Sequence, residues 1–206
     1  MARKTKEEAQ ETRLAILDAA ELVFHEHGVA RTTLDEIAKA AGVTRGAVYW
    51  HFTNKAALFD ALMQRLLGPL DARLAELQAT EGNPIEPLRE LTLYFFDRLS
   101  NDPSYYRILE ISLNKCEYVG EMAAIRAKHI ECGNRFLSIC EGHFRIAKER
   151  GYVHASVDPW CAAVGMMAVT DGLIQKWTLE KDSFSLERLG PMVLDIYLNG
   201  LLTAPR

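Results

Sequence analysis

Residues 33–52 read Thr33-Leu34-Asp35-Glu36-Ile37-Ala38-Lys39-Ala40-Ala41-Gly42-Val43-Thr44-Arg45-Gly46-Ala47-Val48-Tyr49-Trp50-His51-Phe52. Thr33 followed three residues later by Glu36 is a capping box, and it opens a short helix whose inward face is Leu34, Ile37, Ala38 and Ala41. Gly42-Val43 makes a turn, and Thr44 caps a second short helix through Trp50. Two short helices joined by a glycine-containing turn form the helix-turn-helix pattern. The second helix begins with small residues, Gly46 and Ala47, which let its backbone approach another surface closely. Arg45 beside them carries the side chain best suited to bidentate pairing with guanine.

Outward from this stretch the hydrophobic periodicity is helical in both directions, with no sustained strand-like alternation. The sequence predicts an all-α fold of about nine helices. Before the motif, Ile16, Ala20, Val23 and Phe24 mark one face of a first helix that Gly28 ends. After it, Asn54 caps a long fourth helix with Leu58, Leu62, Leu66, Leu70, Leu74 and Leu77 on one face. Glu81-Gly82-Asn83-Pro84 breaks the chain before a fifth helix carrying Leu88, Leu91, Phe95 and Leu99. Asp102-Pro103 and Asp158-Pro159 are start signals for a sixth and an eighth helix. The seventh runs from about Gly120 to Arg150, and Ser185 opens the ninth, with Leu189, Met192, Val193 and Ile196 on one face. This divides the chain into a three-helix head, 1–52, and an all-helical body, 53–206, bridged by the fourth helix.

Charge placement supports the head as a nucleic-acid reader where composition does not. The 206 residues carry 24 basic and 28 acidic groups, which excludes a globally basic, histone-like binder. Within the head the acids all fall at or before Glu36, while 37–59 contains Lys39, Arg45 and Lys55 and no acid. Lys55 stands in the first turn of a helix, where a cation opposes the macrodipole. A phosphate held there would reverse that sign; simple solvation of the cation is the other reading. For Tyr49, core packing and a hydroxyl contact to phosphate both stand open.

These residues resemble the DNA-binding signature of the TetR family: Thr33–Ala38, Ala41–Phe52 and Asn54-Lys55 match it almost without gaps. The opening Met1–Lys6 and the segment Lys115-Cys116-Glu117-Tyr118-Val119-Gly120-Glu121-Met122 look like its AcrR/TtgR branch, repressors of multidrug efflux operons. The resemblance implies that the third helix, with Thr44, Arg45, Gly46, Ala47, Tyr49, Trp50 and His51, enters the major groove of a palindromic operator. It implies that Thr33 and Lys55 touch phosphate, that helices 8 and 9 form a homodimer, and that the body binds a small inducer.

The body's candidate cavity walls are Leu66, Leu70, Leu91, Phe95, Leu109, Leu113, Phe136, Cys140, Met167 and Ile174, on the core faces of helices 4 to 8. Each is also explained by plain core packing. Asp171 and Gln175 lie one turn apart on an otherwise apolar eighth helix. A carboxylate there is either the polar anchor of an apolar ligand site or a rim residue paired with an arginine. Relatives resembling TtgR carry polar residues near the positions of Leu109, Leu113 and Gln175, so two leucines here imply a greasier pocket. Trp160 to Ile174 is almost wholly apolar, which predicts a helix buried on several sides. Gly68-Pro69 interrupts the hydrogen bonding of the fourth helix, as a permanent kink or as a coupling element.

Other classes find less support. The longest apolar run, Trp160–Val169, is too short to span a bilayer, and Met1–Gln10 has no apolar core of a secretory signal. Four scattered cysteines read as reduced cytosolic thiols. The six histidines form no HExxH and no Cys/His metal spacing, and neither a P-loop nor GxGxxG is present. The expectation is a cytoplasmic, homodimeric repressor without cofactor or metal, not an enzyme, released from DNA by an apolar small molecule. The alternative is a DNA-binding protein of the same fold controlled by a protein partner, and an all-α enzyme is the remote one.

Overall fold

The computed structural model describes residues 6–76, 82–181 and 183–202. They form nine α-helices: α1 (Lys6–His27), α2 (Leu34–Ala40), α3 (Arg45–His51), α4 (Lys55–Glu76), α5 (Glu86–Asn101), α6 (Pro103–Asn114), α7 (Ala123–Glu149), α8 (Pro159–Leu179) and α9 (Leu186–Asn199). A 3₁₀ turn, Gly120–Met122, precedes α7, and one isolated bridge joins Val153 to Leu202. Local chemistry sets the ends. Thr33, Thr44, Asn54, Asp158 and Ser185 each accept a bond from the backbone N–H three residues on. Gly28 and Gly151 adopt positive φ just past α1 and α7, where a Cβ would be strained. Leu77, expected on the apolar face of α4, lies outside the described residues.

The chain divides into two compact units, residues up to 69 with 103–128, and 70–102 with 129 onward. The first half of α4, through Pro69, falls in the same unit as α1 to α3. In the first unit Ile16, Ala20 and Phe24 of α1 and Leu58, Phe59 and Leu62 of α4 are all buried, and the Phe24 and Phe59 rings stand 6.3 Å apart, edge to face. A buried acid, Glu21, joins three helices. It accepts from Ser104 Oγ at 2.6 Å and Arg107 Nε at 2.7 Å, and Arg65 Nη1 stands 3.5 Å away. Such pairing is what makes a buried carboxylate tolerable.

The second unit has its core among Leu88, Cys140, Phe144, Ala163, Met166, Leu194 and Leu198. Here α9 packs on both α8 and α5. Phe96, not Phe95, is the buried aromatic of α5; Phe95 is half-buried. Adjacent helical positions point about 100° apart, and the core side falls on the second phenylalanine. The expectation that α8 is buried on several sides is also corrected. Ala162, Ala163, Met166, Ile174 and Trp177 are buried, while Trp160, Val164 and Leu179 are exposed.

Candidate nucleic-acid interface

The helix pair at 33–52 is built as its caps dictate. Thr33 Oγ1 accepts from the Glu36 N–H, and the Glu36 carboxylate accepts in return from the Thr33 N–H at 2.7 Å. That bond to the Thr33 backbone is the main reason the Glu36 carboxyl is held below the usual range. Gly42 takes φ 66° in the turn, and Val43 N–H closes back to Ala38 O at 3.0 Å. Thr44 then accepts from Ala47 N–H at 3.2 Å and starts α3.

Within α3 only Val48 is buried, and Phe52 just beyond it seals the core. Arg45, Gly46, Tyr49 and Trp50 face outward, with Ala47 and His51 half-buried. Trp50 is 73 % exposed and Tyr49 45 %, so neither serves as a core aromatic. The Trp50 and His51 rings stand 4.5 Å apart at right angles. A Cβ on Gly46 would meet nothing nearer than Thr44 Oγ1 at 3.9 Å. Internal packing therefore does not require glycine there.

Arg45 is not a loose side chain. Its Nη1 donates to Asp35 Oδ2 at 3.2 Å and its Nη2 donates to Tyr49 Oη at 3.3 Å. Lys55 is held as well. Nζ donates to Ala30 O and Thr32 O, both at 3.1 Å, bracing the turn between α1 and α2. Lys115, just past α6, holds the end of α1 and the start of the same turn: Val29 N–H donates to its carbonyl oxygen at 2.9 Å, and its Nζ donates to His25 O at 2.6 Å. Sequence reasoning did not find Asp35 or Lys115 in these roles. Partners 10 to 90 residues apart leave no periodic signal.

The residues expected around a ligand are placed unequally. Leu66, Leu91, Leu109, Cys140 and Ile174 are buried, and Leu70, Phe95, Phe136 and Met167 are half-buried. Cys140 belongs to the core of the second unit, where burial pushes its thiol up to about 12. Leu113 departs from the expectation of a cavity wall. It is exposed and lines an open cleft with Glu26, His27, Arg31 and Lys115, because the buried face of α6 runs through Tyr105, Ile108, Leu109, Ile111 and Ser112. Asp171 and Gln175 are exposed. Even so, the surrounding protein pushes the Asp171 carboxyl above the usual range. A Cβ on Gly133 of α7 would meet Met167 Cε of α8 at 3.4 Å, an ordinary van der Waals contact. On the outer side of α8 and α9, Trp160, Val164, Leu179, Met192 and Ile196 are exposed. No helix among the described residues is long and apolar enough to cross a membrane.

Comparison with known proteins agrees with this geometry. The family described as "Bacterial regulatory proteins, tetR family" matches residues 16–62. That described as "MAATS-type transcriptional repressor, C-terminal region" matches residues 83–203. The chain is 44 % identical over 192 residues to the HTH-type transcriptional regulator TtgR of Pseudomonas putida, covering 90 % of this chain and 89 % of that one. It superposes on NalD, the secondary repressor of the MexAB-OprM multidrug efflux pump in Pseudomonas aeruginosa, with a TM-score of 0.88 and 33 % identity, covering 97 % and 100 %. The complex of SmeT with triclosan matches with a TM-score of 0.84 and 33 % identity, covering 95 % and 93 %.

Proposed function

The chain belongs to the TetR family of bacterial DNA-binding transcriptional repressors, and on that footing we propose a ligand-released repressor of a multidrug efflux operon, acting in the cytoplasm. The observation that carries the reading is α3 itself. It buries only Val48, turns Arg45, Gly46, Tyr49 and Trp50 outward, and sits in a stretch, 37–59, without an acid. In this reading residues 1–52 read DNA and 53–206 bind ligand and dimerise. Thr44, Arg45, Gly46, Ala47, Tyr49, Trp50 and His51 approach the major groove of a palindromic operator. Thr33 and Lys55 face phosphate, Lys55 through the N–H that its two carbonyl bonds leave over. Two copies pair through the exposed apolar faces of α8 and α9, so the two α3 helices read half-sites at a fixed spacing.

The inducer is an apolar molecule held by the body, among Leu70, Phe95, Phe136, Met167 and Ile174, with Asp171 and Gln175 as its polar contacts. SmeT's complex with triclosan, a chlorinated phenol, makes that compound a suitable first probe. Triclosan should raise the thermal midpoint of the free protein and weaken its binding to the DNA upstream of its own gene. A panel of apolar drugs and dyes that neither stabilises the protein nor releases DNA would overturn the small-molecule reading. Arg45→Ala should relax preference at one position per half-site, with a loss of about five- to 150-fold in specific affinity. Unchanged base preference would overturn the placement of α3.

A further inference from the structure

The acid at the start of α2 reaches the residue that opens α3. Asp35 is the second residue of α2 and Arg45 the first of α3. Besides the bond from Nη1 to Oδ2, Arg45 Nε lies 3.0 Å from Asp35 Oδ1, an ion-pair contact beside that hydrogen bond. Tyr49, one turn along α3, takes the Nη2 bond, and its ring centroid lies 5.4 Å from Arg45 Cζ. Acid and phenol together hold the guanidinium through one hydrogen bond each.

Counting donors shows what this brace leaves. A guanidinium carries five N–H groups, one on Nε and two on each terminal nitrogen. One N–H of Nη1 goes to Asp35 and one N–H of Nη2 goes to Tyr49, while Nε has only an ion-pair contact with Asp35. One N–H remains on each terminal nitrogen. Guanine in the major groove offers two acceptors side by side, O6 and N7, to such a pair. The brace thus leaves a donor on each terminal nitrogen, the number that a bidentate base contact uses.

The same contact discourages a competing pose. An arginine at the exposed start of a helix also reaches for phosphate, and a phosphate contact carries no sequence information. Both side chains are exposed, so the ion pair matters little for folding. Its effect is on binding: if Arg45 leaves for the backbone, Asp35 is stranded as an unpaired carboxylate close to phosphate, a repulsion that acts against wrong complexes.

We propose that Asp35 is a specificity-determining positioning residue, which holds the Arg45 fork against Tyr49 in a base-reading plane and penalises its transfer to phosphate. The proposal rests on the reading of α3 as the helix that enters the major groove.

The test compares wild type, Asp35→Asn, Asp35→Glu, Arg45→Ala and the double variant Asp35→Asn/Arg45→Ala. Each selects from a pool of random-sequence duplex DNA, and the bound fraction is sequenced. Affinity is then measured for the sequence that wild type selects and for a scrambled duplex. Circular dichroism checks that each variant folds. If Asp35→Asn does not fold, Asp35→Ser replaces it in both arms, since serine is also tolerated at a helix N-terminus. Asp35→Asn should bind scrambled DNA more tightly and lower the specific-to-scrambled ratio about tenfold, within the range of one bidentate base contact. It should flatten preference at the position that Arg45→Ala flattens, and Asp35→Glu should keep the preference. In the Arg45→Ala background, Asp35→Asn should leave base preference untouched. An equal gain on every sequence with preferences unchanged would make Asp35 a simple charge and overturn the proposal. If Arg45→Ala itself leaves preferences unchanged, the reading of α3 fails, and the role of Asp35 falls with it.

Discussion

A Cβ on Gly190 would stand 2.6 Å from Cδ2 of Phe96, inside the distance at which two carbons touch. Phe96 is one of the largest fully buried side chains, so α9 rests on α5 directly over an immobile ring. A parallel notch lies between α8 and α9, where Tyr197 fills the space over Gly165 and donates its hydroxyl to Ala162 O at 2.7 Å. Two glycines therefore set how closely α9 packs on its neighbours.

Gly190→Ala tests this with two opposing magnitudes. Alanine in a helix is favoured over glycine by about 1 kcal/mol. Overpacking a filled core costs about 1–3 kcal/mol. The ring cannot retreat into solvent, so the clash should win and the urea midpoint should fall. A midpoint equal to or above wild type would mean that Phe96 moves aside without cost.

On the same helix, Asp195 accepts from Arg89 Nε at 2.6 Å and from Nη2 at 2.9 Å, a two-pronged pair. The Arg89 bond holds the Asp195 carboxyl below the usual range against a small opposing effect of burial. A depressed folded value adds stability above the unfolded value of about 4 and loses it as pH falls through the folded one. Asp195→Asn should therefore melt below wild type at pH 7, modestly because the pair is part-exposed. The gap should close as pH drops below about 4. A gap that stays constant to strongly acid pH would assign the loss to packing instead.

Ile196 is 73 % exposed, on the side of α9 that also carries Met192. A charge there meets no core of its own subunit, so Ile196→Asp should fold normally. If this face joins two copies, the variant should sediment as a monomer at concentrations where wild type is a dimer. Analytical ultracentrifugation beside circular dichroism reads both properties. A folded, fully dimeric variant would place the interface elsewhere.

Local chemistry was the legible part of the sequence. Caps act over three residues, so Thr33, Thr44, Asn54, Asp158 and Ser185 could be read one by one, and the helices between them followed. Lys55 shows where that legibility stops. Its position in a first turn signals a missing negative partner, and a phosphate is one such partner. The protein supplies another, the carbonyls of Ala30 and Thr32, which periodicity cannot bring near residue 55. Phe95 and Phe96 defeated the reading for a different reason: a helical stripe wide enough to bury a core admits either neighbour. The exposed apolar residues of α8 were illegible because an apolar run reads the same whether or not its own subunit covers it.

Pro69 gives the last prediction. α4 runs from Lys55 to Glu76 through this proline, whose missing N–H leaves Arg65 O without its intrahelical donor. Packing does not ask for the irregularity. Pro69 is exposed, and a Cβ on Gly68 would meet nothing within 4 Å. The chain's two compact units divide immediately after it. Pro69→Ala should restore the bond and raise the thermal midpoint, since proline is disfavoured in a helix interior by about 3 kcal/mol. If the weak point in α4 lets ligand occupancy reach the head, stiffening it should cost coupling and not ligand affinity. A ligand acts on DNA binding only through its differential affinity for two states. The usual coupling of about 1–3 kcal/mol corresponds to a five- to 150-fold loss of operator affinity. The measurement is operator affinity with and without a saturating ligand found by thermal shift, in wild type and variant, beside ligand affinity by calorimetry. The variant should bind ligand as wild type does and release DNA less. A variant that is stabilised yet releases DNA to the full wild-type extent would remove Pro69 from the coupling and leave it a structural feature of α4.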